Sequence, residues 1–158
     1  NNGSVDGIVI NVRDITERKQ VEEALKASET KFHTLFDSTN DAVMISDEDR
    51  FIDANKATLS LFGCTTLEEF CAKTVAELSA PEQPCGTSSL TLARQQISVA
   101  IEKGSNHFEW MHKRLDTGEV FSADVLLSSF FINNKNFVKF RFYLAKKGSL
   151  DPLCKYNH

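Results

Sequence analysis

The sequence predicts an α+β fold, a five-stranded antiparallel sheet with helices on one face, preceded by an amphipathic linker helix. The first observation is the order of patterns, in which two strands, a run of helices and three further strands follow one another. The second is a pair of turn signals, at residues 116–118 and 133–136, which join the last three strands as antiparallel hairpins. The third is the strict alternation of apolar and polar residues over 137–144.

The N-terminal segment Gly7-Ile-Val-Ile-Asn-Val12 has the pattern of a short strand that passes directly into a polar helix. Asp14 is placed to accept hydrogen bonds from the first free amides of this helix, and Glu17 can reach back as in a capping box. A strand joined to a helix in this way transmits movement of a sheet to the helix. We therefore expect Asp14, Thr16 and Glu17 to couple a signal to the segment that follows.

A linker helix is predicted over residues 17–38. Its apolar seam is spaced four, three, four and three residues apart, which is typical of a heptad repeat, and one polar residue interrupts it. The seam favours a helix-mediated homodimer, although a helix lying on the sheet of its own domain has a similar pattern. The seam consists of Val21, Leu25, Ser28, Phe32 and Leu35.

The remaining elements follow from periodicity and from turn residues. Asn55 begins a short helix that Gly63 ends, Thr65 or Thr66 caps the next helix, and Gly104 ends the longest one. Strands are predicted at 42–46, 51–54, 106–115, 119–131 and 137–144, helices at 56–62, 67–72, 75–78 and 90–103, and a loop at 80–89.

The composition excludes several classes of partner. A formal charge of −4 and a pI near 5.6 argue against nucleic acid and against direct contact with an anionic membrane. No apolar stretch reaches the roughly 18 residues of a membrane span. The four cysteines form no Cys-x-x-Cys pair, so we expect reduced thiols, no metal site and a cytoplasmic location.

Three stretches resemble the PAS domains of bacterial sensory proteins. Residues 49–63, Asp-Arg-Phe-Ile-Asp-Ala-Asn-Lys-Ala-Thr-Leu-Ser-Leu-Phe-Gly, are similar to the second strand and first core helix of the family. Residues 108–118, Phe-Glu-Trp-Met-His-Lys-Arg-Leu-Asp-Thr-Gly, are similar to its hairpin between the third and fourth strands. Asp14-Ile15-Thr16 is similar to the motif at which one PAS domain ends and a connecting helix begins. The resemblance covers roughly residues 30–145.

The resemblance implies a domain organisation. Residues 1–16 are expected to be the terminal strand and exit motif of a preceding PAS domain, 17–38 a linker helix, 39–146 a PAS domain and 147–158 a C-terminal tail. The chain departs from the family after its final strand, where Leu144-Ala-Lys-Lys-Gly-Ser-Leu150 stands in place of a second Asp-Ile-Thr motif.

The resemblance also raises the question of a cofactor. A haem sensor of this family would offer an axial His from the long core helix, and residues 90–103 contain none. A light-oxygen-voltage domain carries a reactive Cys within Asn-Cys-Arg-Phe, and Cys71, the nearest in position, lacks those neighbours. We therefore expect no haem and no flavin, which leaves an unidentified small molecule as the ligand to consider.

Trp110 and His112 fall on the same face of one predicted strand. If that face points inward, Trp110 can stack on a ligand and His112 can act as a titrating hydrogen-bond partner. We favour instead the interpretation that Trp110 packs under the linker helix on the opposite face. The candidate ligand-binding residues are Phe62, Leu78, Ile97, Ile101, Trp110 and His112.

No catalytic or nucleotide-binding motif accompanies these residues. We expect a regulatory sensor and dimerisation module, not an enzyme, cut from a longer bacterial signalling protein of the histidine kinase or diguanylate cyclase type. The catalytic domain of that parent protein is expected outside this chain. A membrane anchor in the parent protein is compatible with this expectation. The expected partners are a second copy, through Val21, Leu25, Phe32, Leu35 and the sheet, and the adjacent domains. A ligand-free spacer module and a small α+β ligand-binding or isomerase-like domain are the alternatives.

Overall fold

The structure is a computed structural model that describes the backbone of residues 6–48 and 50–144 and the side chains of residues 15–48 and 50–144. The chain divides into two compact units after Ser38. In chain order the elements are α1 (Asp6–Ser38), β1 (Ala42–Ser46), β2 (Phe51–Ala54), α2 (Lys56–Phe62), α3 (Leu67–Cys71), α4 (Ser89–Lys103), β3 (Ser105–Lys113), β4 (Val120–Ile132) and β5 (Lys135–Leu144).

The first unit contains α1, a helix of 33 residues that is about 50 Å long at 1.5 Å per residue. It includes residues 7–12, so the strand predicted there is wrong, and Asp14 lies inside the helix instead of at its N-cap. The β-branched residues favour a strand, but a lone strand leaves its backbone groups unpaired, whereas a helix pairs them internally. Whether residues 1–16 belong to a preceding domain stays a prediction. α1 ends at Ser38, as predicted.

The second unit is built on one antiparallel sheet with the strand order β2-β1-β5-β4-β3. This confirms the predicted five-stranded α+β fold. β5 lies at its centre, between β1 and the long strand β4. The β4–β5 hairpin turns through Asn133 and Asn134, whose positive φ angles of 50° and 61° are those that a two-residue hairpin loop requires. One face of the sheet is covered by the helices and the other carries most of its charged side chains.

The helices that cover the sheet begin and end where the sequence indicates. Asn55 caps α2, Gly63 ends it with a φ of 76°, Thr66 caps α3, and Gly104 ends α4 with a φ of 88°. The helix predicted at 75–78 is wrong, because these residues form a turn and leave three helices between β2 and β3. Thr74 stabilises this turn, because its amide and its hydroxyl both donate hydrogen bonds to the Glu77 carboxylate.

A buried polar cluster joins β1 to α2. The Oδ1 atom of Asn55 accepts hydrogen bonds from the amides of Val43 and Thr58, each at 3.0 Å, and from the Thr58 hydroxyl at 2.9 Å. Its Nδ2 atom donates to the carbonyl of Asp41 at 2.9 Å. Asn55 is completely buried, so these bonds replace the water that its amide loses on folding.

The outer edge of β3 is covered by the segment that precedes α4. The Gln83 side chain behaves like a peptide group towards Met111, because its Oε1 accepts from the Met111 amide at 2.9 Å and its Nε2 donates to the Met111 carbonyl at 3.2 Å. The Ala80 amide donates to the same carbonyl at 3.0 Å, and the Lys113 amide donates to the Leu78 carbonyl at 2.9 Å. These bonds fix residues 78–83 against β3.

No helix in the described part of the chain combines the length and the apolar character needed to cross a membrane.

Candidate functional site

A cavity lies inside the second unit, between the inner face of the sheet and the helices. Its free volume is about 30 Å³. This is room for about two water molecules. All five strands, α2, α4 and the turn between α3 and α4 contribute to its wall. The lining residues are Met44, Phe51, Phe62, Val75, Leu78, Ser79, Ala93, Ile97, Phe108, Trp110, His112, Val125, Leu127, Phe140 and Phe142.

Trp110 lies on the inner face of β3 and is 3% exposed, so the favoured interpretation, that it packs on the opposite face, is wrong. Its partner across the ladder is Ala123, which is fully buried, and this register turns Trp110 towards the core. The Trp110 indole Nε1 donates a hydrogen bond to the Ser79 hydroxyl at 2.9 Å. The polar edge of the indole is therefore already paired, and its rings remain as cavity wall.

His112 is buried on the same face of β3. Its Nδ1 lies 3.3 Å from the Leu78 carbonyl oxygen, which can only accept, so Nδ1 carries the proton and Nε2 holds a lone pair. Burial lowers the pKa of His112 to about 3, and the bond to Leu78 opposes this shift. The imidazole is therefore neutral at physiological pH. The sequence left a titrating role open for His112 if its face points inward, and the lowered pKa argues against that role at this pH.

Three phenylalanine rings surround this imidazole. Phe62 and Phe142 meet it edge to face, with ring centroids 5.4 Å and 5.1 Å away, and Phe121 stacks on it at 5.5 Å. Phe62 itself is fully buried at the C-terminal end of α2. The imidazole is thus held by aromatic packing against two strands and one helix.

Five of the six candidate ligand-binding residues line the cavity: Phe62, Leu78, Ile97, Trp110 and His112. Ile101 does not, and it is 41% exposed. On α4, Ala93 and Ile97 line the cavity and Ala100 is buried, whereas Ile101 lies on the side of the helix that is open to solvent. Whether any of these residues binds a ligand stays a prediction.

Several wall residues could not be predicted from the sequence pattern. Val75 and Ser79 come from a turn whose position depends on its bonds to β3, and Met44 and Phe51 come from strands too short to show which face is inward. A tertiary contact, not a local pattern, brings these residues to the cavity.

The outer face of the sheet carries a link to the segment that follows α1. Arg141 donates from Nε to the Asp41 carboxylate at 2.9 Å and also from Nη2. The bond from Asn55 to the Asp41 carbonyl holds the same residue from the other side. Asp41 is three residues beyond the end of α1, and sequence reasoning missed both it and Arg141.

The predicted coupling residues Thr16 and Glu17 lie in α1 and are exposed, and the side chain of Asp14 is outside the described part. The predicted dimer seam is also exposed in the single chain, with Val21 at 68%, Leu25 at 59%, Phe32 at 48% and Leu35 at 62%. Whether a second copy covers this seam stays a prediction.

The thiols in the described part have the properties of structural cysteines. Cys64, Cys71 and Cys85 form no disulfide there. Burial raises the pKa of Cys71, and the carboxylates of Asp53 and Glu68 raise it further. A thiol in this setting is protonated and weakly nucleophilic at neutral pH. Cys154 lies outside the described residues.

Residues 30–95 match the model of a PAS domain family. The fold is similar to those of solved PAS domains. The second unit has the fold of a PAS domain. The PAS domain of a two-component sensor histidine kinase is 15% identical, with a TM-score of 0.61 over 76% of this chain and 99% of that one.

Two further solved PAS domains are similar at the level of the fold. One, from the HTR-like protein of Haloarcula marismortui, is 16% identical with a TM-score of 0.63, covering 80% of this chain and 99% of that chain. The other, from nitrogen regulation protein NR(II) of Vibrio parahaemolyticus, is 14% identical with a TM-score of 0.54, covering 72% and 96%. No curated protein matches the sequence.

Proposed function

We propose that this PAS domain is a regulatory sensor and dimerisation module of a bacterial signal-transduction protein of the histidine kinase or diguanylate cyclase type. A ligand in the cavity, or a partner domain, changes the packing of the sheet, and the change passes through the flanking helices. Catalysis then belongs to another part of the parent protein. The proposal places the domain in the cytoplasm, including the case of a membrane-anchored parent.

The observation that carries this proposal is the double role of β5. Phe140 and Phe142 point inward and line the cavity, and Arg141 between them points outward to Asp41. A shift of the cavity wall therefore moves the group that holds the start of β1, and Ser38 at the end of α1 is three residues from Asp41. The connection is short and is made of paired side chains.

The exposed seam of α1 supports dimerisation. Four large apolar side chains at heptad spacing remain open to solvent in the single chain. A second copy of the same helix would cover them with matching side chains, as in a two-stranded coiled coil. We place the dimer contact on this seam, with the outer face of the sheet as a further contact.

The cavity supports a small ligand over the large cofactors of the family. A volume of about 30 Å³ favours a small molecule over a haem or a flavin ring system, and α4 contains no His that could bind iron. Among the described lining residues there is no carboxylate and no cationic side chain, so the acid and base groups of an isomerase are not assembled there. The small volume also favours, as a second candidate, a ligand-free module that only sets dimer geometry.

The test fills the cavity and measures the response of α1. Val75→Ile adds one methylene to the wall and so fills part of the free space, and Val120→Ile adds the same group at a site that is 45% exposed outside the cavity. We expect Val75→Ile, and not Val120→Ile, to change hydrogen exchange over residues 15–38 and the dimer dissociation constant. Arg141→Gln should abolish that response in the double variant. Identical hydrogen exchange in the wild type, Val75→Ile, Val120→Ile and the double variant of Val75→Ile with Arg141→Gln would leave the ligand-free spacer module as the function.

A further inference from the structure

One nitrogen of His112 has no hydrogen-bond partner. Among the buried side-chain oxygen and nitrogen atoms of the described residues, Nε2 of His112 is the one left unpaired. Nδ1 is occupied by the Leu78 carbonyl, which fixes the tautomer and leaves a lone pair on Nε2. Buried acceptors of this kind are rare in native proteins, and each calls for a physical reason.

The unpaired nitrogen is directed into the domain. The two nitrogens of an imidazole point away from each other, and Nδ1 points to Leu78 beside the edge of the sheet. Nε2 is therefore directed away from that edge, towards the interior where Phe62 and Phe142 meet the imidazole and where His112 forms part of the cavity wall.

The fold does not need the imidazole for its own hydrogen bonding. The Leu78 carbonyl already accepts from the Lys113 amide at 2.9 Å, so it would remain paired without His112. A phenyl ring would match the surrounding phenylalanines and would leave no acceptor unsatisfied. An unsatisfied imidazole beside a cavity is thus better explained by a ligand than by packing.

We infer that the cavity takes a small uncharged molecule whose single hydrogen-bond donor is accepted by Nε2 of His112. This inference rests on the proposed sensor function and names the class of its ligand. If one of the three phenylalanine rings around His112 shifts, the cavity admits a molecule of about two to four non-hydrogen atoms. A short-chain alcohol has this size. A charged ligand would lose its hydration without finding a countercharge among the described wall residues.

The experiment compares 2-propanol with acetone. Both have the same four-atom skeleton, but only 2-propanol has a hydrogen-bond donor. Binding to the whole chain is followed by NMR titration, with the ¹⁵N shift of His112 Nε2 as a direct reporter. His112→Phe removes the acceptor, and Trp110→Phe is the control because it removes the other polar ring of the wall and keeps Nε2.

We expect the wild type and Trp110→Phe to bind 2-propanol about fivefold more tightly, relative to acetone, than His112→Phe does. The Nε2 resonance of the wild type should shift with 2-propanol and not with acetone. Equal binding of both probes, or an unchanged Nε2 resonance, overturns the inference and leaves the sensor function standing. If neither probe nor xenon enters the cavity, the ligand class and ligand sensing both fail, and the spacer module remains.

Discussion

Arg141 and Asp41 form a side-chain ion pair although 100 residues separate them in the chain. The bond joins the central strand of the sheet to the residue that immediately precedes β1. Arg141 also stacks over the ring of Tyr143, with its guanidinium carbon 5.1 Å from the ring centroid. The guanidinium group is therefore held by an aromatic ring as well as by the carboxylate.

Arg141→Gln should lower the free energy of unfolding by about 0.5–1 kcal/mol, because both side chains of the pair are partly exposed and such pairs contribute modestly. Asp41→Asn should have a similar effect, and the double variant should lose less than the sum. Urea denaturation measures all three, with Lys139→Gln on the same strand as the control. Fully additive losses would show that the pair contributes no interaction energy.

His112→Phe should stabilise the domain at pH 7.5 by about 1 kcal/mol. It removes the unpaired Nε2 atom, and the Leu78 carbonyl keeps its bond to Lys113. Chemical denaturation measures the gain, and His112→Ala is the comparison because it removes the same polar atoms and opens a larger cavity. A loss of stability in His112→Phe as large as that in His112→Ala would mean that the imidazole is itself a stabilising core group.

Stability should fall between pH 7.5 and pH 5.0. His112 has a pKa of about 3 when folded and about 6.5 when unfolded, so below pH 6.5 the unfolded chain takes up a proton that the folded chain does not. Stability is then lost by roughly 1.4 kcal/mol per pH unit, or about 2 kcal/mol at pH 5.0. His112→Phe should remove most of this dependence. A similar slope in the variant would assign it to other groups.

Gly63→Ala should destabilise the domain more than Gly118→Ala. Both glycines have positive φ angles, 76° and 72°, so both substitutions strain the backbone by about 1 kcal/mol. At Gly63 the added Cβ would also lie 2.2–2.5 Å from the Asp116 carboxyl group, which Arg114 holds in place, whereas nothing lies within 4 Å at Gly118. Thermal unfolding of the two variants should differ clearly. Equal losses would mean that Asp116 moves aside at no cost.

Replacing Leu25 and Phe32 together by Glu should yield monomers, because two carboxylates then interrupt the apolar seam of α1. Ala27→Glu with Thr34→Glu adds the same charge at exposed positions away from the seam and should leave the dimer intact. Light scattering of the two double variants and the parent gives the mass. The same mass for all three would place the interface elsewhere.

Local patterns predicted most of the sheet and its helices. The ends of β1, β2 and α2 follow from residues that act within a few positions, such as the Asn55 cap and Gly63. The strand predicted at 7–12 and the helix predicted at 75–78 failed because the outcome depends on a partner. The first has no neighbouring strand in the described part, and the second is held by backbone bonds to β3.

The site was predictable in its residue types but not in its chemistry. Alternation placed Trp110 and His112 on one face, and the structure confirms this. The pairing of the indole with Ser79 and of the imidazole Nδ1 with Leu78 depends on residues 31 and 34 positions away, which no sequence window brings together. Ile101 was misassigned because a single helical step separates it, an exposed residue, from Ala100, which is buried.

Gln83 has a consequence for how the sheet meets other molecules. A strand from another chain that approached β3 at Met111 would find both backbone groups engaged by a side-chain amide, and it would have to displace that amide before it could pair. The exposed row of donors and acceptors at which sheets polymerise is therefore interrupted at this point. Replacing Gln83 by a residue without an amide would make the domain more prone to form intermolecular β-sheet.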